Sequence, residues 1–375
     1  MAQQTSSSSG KTVLIMAGGT GGHIFPALAV AECLKNQGWQ VHWLGSPKGM
    51  EAKLVAQYAY PMAPIQFSAL RGKGLLRKLS LPFSLLSACW QARRILRRIK
   101  PDVVLGMGGY ISFPGGLMAA LLGYPLVVHE QNAIPGLANR VLARLAQRLA
   151  CGFPHAFGQR LAAQWTGNPV RADIAAAPPP AQRWAERLAL QPEPPLQVLV
   201  IGGSLGAAAL NEHVPSGIAL IEPERRPQVV HQAGEKHLKK LQEDYAELAL
   251  PVQCVSFIQD MAGAYAWADL VICRAGALTV AELAAVGVAS IMVPFPAAVD
   301  DHQTANAQYL SRVGAAIVLP QSELTAANIS LLRNYSRAQL LQMAERAREL
   351  AKPDAAAAVA QLCLDAAAAR RKKAT

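Results

Sequence analysis

Charge and aromatic side chains are scarce in this 375-residue chain: Asp, Glu, Lys and Arg make up 16% and Phe, Trp and Tyr 6%, against 52% hydrophobic residues. That balance excludes intrinsic disorder and a coiled coil, and the length suits two domains better than one core. The six cysteines (Cys33, Cys89, Cys151, Cys254, Cys273, Cys363) form no C-x-x-C pair and have no partnering histidine spacing. Neither a zinc site nor a disulfide framework is suggested, and a reducing cytosol is the default. Residues 103–128 hold no charged group, yet six glycines and two prolines interrupt them. They read as strand, glycine loop, short buried helix and strand, so no transmembrane helix is expected. The apolar run Val13 to Ala17 is too short and wrongly flanked for a signal peptide.

Short runs rich in Val, Ile and Leu recur with helical patterns between them, at Val13–Met16, Val41–Leu44, Val103–Leu105 and Leu126–Val128, and again from Val198 onward. Strands this continuously apolar are buried on both faces, which implies parallel sheets covered by helices. The expected fold class is α/β, with two doubly wound Rossmann-like domains facing across a cleft. A flexible tail, 1–11, precedes a first domain over 12–170, and a second follows over 171–345. Pro178–Pro180 and the trio Pro192, Pro194 and Pro195 mark the connector. Residues 346–375 form an alanine-rich helical segment with a basic tail, able to pack back on the first domain.

Both halves open with strand, glycines and helix, at VLIMAGGTGGH and VLVIGGSLGA. Such turns let a backbone approach a ligand closely and offer helix N–H groups to an anion, although they are also a structural device of any doubly wound sheet. Neither is a P-loop, since Gly-Lys-Ser/Thr does not follow either strand. Neither fits a dinucleotide fold: AGGTGGH breaks the glycine spacing, and Trp43-Leu44-Gly45-Ser46-Pro47 lacks a ribose-binding carboxylate. His23 follows the first turn, where an imidazole can take a proton from a hydroxyl; a structural or capping role is the alternative.

The blocks AGGTGGHIFPALAVA, ALRGKG, GMGGYISFPGG, HEQNAIPGLANR, TGNPVR, GGSLGA and CRAGALTVAELAAVG occur in this order between residues 17 and 287. In them the chain resembles the MurG family of bacterial peptidoglycan N-acetylglucosaminyltransferases, two-domain enzymes of the GT-B type. The resemblance implies inverting transfer of N-acetylglucosamine from UDP-GlcNAc to the 4-hydroxyl of the muramoyl sugar of lipid I, giving lipid II and UDP, with no cofactor. It places the nucleotide sugar on the second domain, with Ser204 at the diphosphate and Arg171 able to neutralise it, a plain surface arginine being the alternative, with Ile258 at uracil through its backbone, and with Ala277, Leu278, Thr279, Val280, Ala281 and Glu282 cradling the nucleotide sugar. Glu282 would read the ribose hydroxyls, although Thr279 and Glu282 also spell a capping box. Gln303 would contact the donor sugar, as would Asn132, Thr20, Gly21 and Gly22 from the first domain. His23 and Glu130 are the catalytic candidates; Glu130 can instead orient the acceptor or satisfy buried backbone groups. No D-x-D triplet occurs, which argues against a metal-assisted departure of UDP. The chain carries Ala275 where serine is common and Leu205 where glutamine is frequent, and neither departure removes a required charge.

The net charge of +12 is local. Residues 71–100 carry nine basic side chains and no acid, and Arg370, Arg371, Lys372 and Lys373 supply the rest of the excess. Over 83–99 helical spacing puts Leu85, Ala88, Cys89, Ala92, Ile95, Leu96 and Ile99 on a core-facing stripe and leaves Phe83, Leu86, Trp90, Arg94 and Arg97 off it. That second face suits an anionic membrane surface, and the implied prenyl-linked acceptor places the enzyme peripherally on the cytoplasmic face of the cell membrane. A solvated charged face is the plain alternative. No recognition motif supports nucleic acid as partner. Rival functions are a UDP-GlcNAc 2-epimerase, a transferase for another glycolipid and a silent membrane-docking protein.

Overall fold

The structure is a computed structural model that describes residues 10–67, 81–190, 192–203 and 206–374. The chain divides into two compact units, one of residues 1–131, 135–169 and 354–375, the other of 132–134 and 170–353.

The first unit is built on a seven-stranded sheet of β1 (Thr12–Met16), β2 (Gln40–Gly45), β3 (Met62–Pro64), β4 (Val103–Gly106), β5 (Leu126–Glu130), β6 (Arg148–Cys151) and β7 (Gln164–Trp165). All pairs are parallel, in the order β3-β2-β1-β4-β5-β6-β7. Alternation along each strand sends side chains to two cores. Val13, Ile15, Val41, Trp43, Val103 and Leu105 pack with the helix Gly21–Asn36 on one face. Leu14, Met16, Leu44, Val104, Leu126 and Val128 pack on the other with Ala88, Ala92, Ile95 and Leu96. The last helix, Ala355–Ala374, belongs to this unit, and its Val359, Ala360, Cys363, Ala366 and Ala367 complete the first of those cores.

The second unit repeats the plan with β8 (Gln197–Ile201), β9 (Gln228–Gln232), β10 (Gln253–Val255), β11 (Leu270–Cys273), β12 (Ala289–Met292) and β13 (Ala316–Val318), parallel in the order β10-β9-β8-β11-β12-β13. Asp269, fully buried, ties together the segments that enter the two central strands β8 and β11. Its carboxylate accepts from the Gln197 amide at 2.9 Å and pairs with Arg187 at 2.7 Å and Arg337 at 2.8 Å.

In each sheet the strand order reverses once, between β1 and β4 and between β8 and β11. The connections leaving those strands run to opposite faces and open a crevice beyond their carboxyl ends, where open α/β sheets bind ligands. The glycine turns after β1 and β8 lie at these two points.

Candidate functional site

In the first unit the backbone after β1 passes through Gly18 and Gly19 to Thr20, the N-cap of the helix Gly21–Asn36. The Thr20 side chain makes no capping bond and is exposed, so its hydroxyl remains for another partner. His23, in the first turn and half-buried, lies with Nδ1 3.0 Å from Gln131 Oε1. Gln131 Nε2 lies 3.1 Å from His129 Nδ1, and His129 Nε2 lies 3.0 Å from the Gly167 carbonyl. Burial is the main cause that lowers the His129 pKa to about 4.

Glu130 is buried beside them, its Oε2 accepting from Asn139 Nδ2 at 2.9 Å and from the Gly136 amide at 3.1 Å. It closes the loop after β5 and gives the helix Leu137–Leu142 its entry. Asn132 departs from the place read in the sequence: Asn132–Ile134 groups with the second unit. There Asn306 Nδ2 donates to Asn132 Oδ1 at 3.2 Å and to the Ala275 carbonyl at 3.2 Å, while its Oδ1 accepts from the Ala133 amide at 2.8 Å.

The second unit's glycine turn follows β8. A Cβ on Gly206 would come within 2.0 Å of the Ala233 carbonyl, and its φ is +76°, so only glycine fits there. Gln232, at the end of β9, braces this turn, accepting from the Gly202 amide at 3.2 Å and donating to the Gly203 carbonyl at 2.9 Å and the Ser256 carbonyl at 3.2 Å. It thus fixes the turn and the loop that leads to half-buried Ile258. Ser204 and Leu205 lie outside the described residues.

Next to it, the helix Ala277–Val286 starts with Gly276 as N-cap and no side-chain cap. The Thr279–Glu282 capping box is therefore not formed: Thr279 already lies inside the helix. Glu282 is buried and accepts at 2.9 Å from the Tyr265 hydroxyl. Burial raises its pKa to about 7, against the opposing pull of Arg171 and the Tyr265 bond, so Arg171 stands close enough to act on it electrostatically. Arg171 caps the short helix Ala172–Ala175, which packs beside Ala277–Val286. Leu278, Thr279 and Ala281 keep partial exposure, whereas Ala277 and Val280 are buried. Gln303 accepts from the Phe295 amide at 2.9 Å. Arg274 secures the loop before it, donating to the carbonyls of Val293 at 3.1 Å and Pro294 at 3.3 Å.

Several of these bracing residues carry no sequence signal of their own. Asn306 stands in a motif whose neighbour Gln303 drew the reading. Gln232 is marked only as a polar residue ending an apolar strand. Glu51 is fully buried in the helix Met50–Gln57, and accepts from the Ser46 amide at 2.8 Å and the Gly19 amide at 3.3 Å. It holds the first glycine turn from thirty-two residues away. Among the described residues no group of three or more His, Cys, Asp or Glu gathers to hold a metal ion.

On the helix Leu81–Ile99, Ala88, Ala92, Ile95 and Leu96 are buried, on the stripe that their spacing predicts. Phe83 is 75% exposed, Leu86 67% and Trp90 56%, far from core burial. Arg93, Arg94, Arg97 and Arg98 are exposed, and the Arg94 guanidinium stands 4.7 Å over the Trp90 ring. Arg71, Lys73, Arg77 and Lys78 lie outside the described residues. Among the described residues no helix is long and apolar enough to cross a membrane.

The Glycosyltransferase family 28 N-terminal domain matches residues 13–151, and the Glycosyltransferase family 28 C-terminal domain matches residues 197–362. The chain is 63% identical, over 94% of its length and 98% of the relative's, to the UDP-N-acetylglucosamine--N-acetylmuramyl-(pentapeptide) pyrophosphoryl-undecaprenol N-acetylglucosamine transferase of Dechloromonas aromatica. It is 60% identical, over 97% of its length and all of the relative's, to the protein of the same name in Aromatoleum aromaticum. Among solved structures it is similar to MurG of Acinetobacter baumannii, with a TM-score of 0.78 and 41% identity over 95% of this chain and 99% of that one.

Proposed function

This chain belongs to glycosyltransferase family 28, and on that premise we propose how its residues perform its reaction. It transfers N-acetylglucosamine from UDP-GlcNAc to the 4-hydroxyl of the muramoyl sugar of lipid I, giving lipid II and UDP. The observation that carries this reading is 63% identity across nearly the whole chain to a transferase of that name, supported by the glycine turns that follow β1 and β8 at the two switch points.

The donor binds to the second unit. Its diphosphate takes N–H groups of the turn that follows Gly202, the Ser204 hydroxyl and the Arg171 guanidinium. The ribose hydroxyls donate to Glu282, and uracil meets the backbone at Ile258. Residues Ala277–Ala281 line the nucleotide sugar, and Gln303, Asn132, Thr20, Gly21 and Gly22 contact the transferred sugar. As the bond from sugar to UDP breaks, charge grows on the diphosphate; donors already held in place by Gln232 and the helix stabilise it without reorganising.

His23 accepts the proton of the attacking 4-hydroxyl, a role worth about 10²–10⁴-fold in rate. Glu130 serves it indirectly, holding the loop that carries Gln131 by its bonds to Asn139 and Gly136. No cofactor takes part, and with fixed donors and Arg171 at the leaving group no divalent ion is required.

The helix Leu81–Ile99 meets the bilayer that carries the prenyl-linked acceptor. Phe83, Leu86 and Trp90 enter the interface while the arginines draw anionic headgroups, each worth about 1 kcal/mol near the surface. Peripheral attachment at the cytoplasmic face of the membrane follows from that surface. Incubation with UDP-GlcNAc is expected to release UDP only when lipid I or a soluble analogue is added. Acceptor-free turnover to an isomerised nucleotide sugar would indicate an epimerase, and release of no UDP a transferase for another glycolipid or a binding protein.

A further inference from the structure

We propose that Gln131 and His129 are positioning residues that hold His23 as its Nδ1–H tautomer and so present an unprotonated Nε2 as the basic atom. The inference rests on His23 as the base and names what orients it.

The Gly167 carbonyl, 3.0 Å from His129 Nε2, can only accept, so His129 Nε2 carries a hydrogen. His129 is fully buried, and burial lowers its pKa to about 4, so near neutral pH it is uncharged and its Nδ1 bears a lone pair. The group 3.1 Å from that lone pair must donate, which makes it the Gln131 amide nitrogen. Gln131 Nε2 also reaches the His129 carbonyl at 3.4 Å, giving both amide hydrogens an acceptor. A flipped amide would set an oxygen against both His129 Nδ1 and the His129 carbonyl, and would demand protons on both ring nitrogens of a fully buried imidazole. Gln131 Oε1 therefore faces His23 Nδ1 at 3.0 Å, and because an amide oxygen only accepts, His23 Nδ1 is the donor.

Two features keep the chain in register. Asn168 Nδ2 donates to the Gln131 carbonyl at 2.9 Å, fixing the backbone from which the amide projects. Gly108, at φ +91°, leaves room for the contact: a Cβ there would lie 2.7 Å from His23 Nδ1 and 3.1 Å from Gln131 Oε1. His23 Nε2 has no hydrogen-bond partner among the described residues. In the opposite tautomer the Nδ1 lone pair would oppose the Gln131 oxygen, and Nε2 would hold a hydrogen where the acceptor hydroxyl must deliver one. A partner that sets the tautomer of a base histidine is worth up to about 10⁴-fold in the Ser-His-Asp triad; a neutral amide, without ionic stabilisation of the imidazolium, supplies less.

Long-range proton–nitrogen correlation spectra of the full chain labelled with [15N]histidine test this directly, with His23 identified by its loss in His23→Ala. At pH 8 the wild-type His23 is expected as the Nδ1–H form, and in Gln131→Leu the Nε2–H form should gain. Turnover of Gln131→Leu should fall by at least about tenfold, with KM for UDP-GlcNAc within about twofold of wild type. An Nε2–H tautomer for His23 in the wild type would overturn the proposal, whatever the activity of the variants, and needs no variant beyond the assignment. Normal turnover in His23→Ala would instead refute His23 as base while leaving the tautomer assignment standing.

Discussion

Glu282 joins the proposed recognition of ribose to stability in one side chain. Its pKa, raised to about 7 chiefly by burial, means that the folded protein holds a proton there that the unfolded chain releases from about pH 4.5 upward. Its favourable contribution is present in full below that value and is lost as pH rises through 7. Glu282→Gln keeps an acceptor for the Tyr265 hydroxyl and removes the buried charge. At pH 8 thermal or urea unfolding should show this variant more stable than wild type by on the order of 3 kcal/mol, at roughly 1.4 kcal/mol per pH unit, with the gap closing below about pH 4.5. Ribose hydroxyls favour the ionised form, so wild-type affinity for UDP-GlcNAc should climb as pH passes 7; in the variant it should be weak and flat. A wild-type binding curve without pH dependence between 6 and 8 would contradict that role. Residues with a motif around them, such as His23, Arg171 and Glu282, could be singled out in the sequence as candidates. Glu51 and Gln232 could not, because each acts on backbone amides of a distant segment, and such a bond leaves no spacing or pattern to read.

At the scale of elements, strands were legible from their apolar runs because both faces of a parallel sheet are buried, and the stripe of the helix Leu81–Ile99 from its 3.6-residue period. The alternative of a capping box at Thr279 is not realised, for a local reason. Four residues of sequence state a hydrogen-bonding option, whereas the start of the helix at Gly276 and the position of Tyr265 decide whether it is taken. The helix Leu81–Ile99 also gives the membrane reading its test. Replacing Arg93, Arg94, Arg97 and Arg98 by Glu should leave folding intact, since all four are exposed. The same change should abolish sedimentation with anionic liposomes, and added salt should weaken wild-type binding progressively. Binding unchanged by the four substitutions would remove this surface from the account.

For the molecule as a whole, two doubly wound units were predictable from the restart of the strand pattern near residue 198. Of the short segments that cross between them, the return of residues 354–375 to the first was an option read for the alanine-rich C-terminal segment, whereas the passage of Asn132–Ile134 to the second unit is not encoded in local periodicity. Alanine-rich sequence specifies a helix without saying which core it will cover. In the structure Val359, Leu362 and Cys363 are buried in the first unit's core, and a fully buried aliphatic side chain is worth about 1.5–3 kcal/mol. Removing residues 354–375 should therefore destabilise the first unit by several kcal/mol, seen as a lower melting temperature and faster proteolysis within residues 10–131. Unchanged unfolding would show that the helix is dispensable to that core.

What sets this enzyme apart is transfer of the sugar itself. With UDP-GlcNAc labelled in its N-acetylglucosamine, lipid I in vesicles and EDTA present, the label should enter the lipid extract in equal amount to the UDP formed. UDP released without labelled lipid, or label retained in a nucleotide sugar of altered configuration, would contradict it.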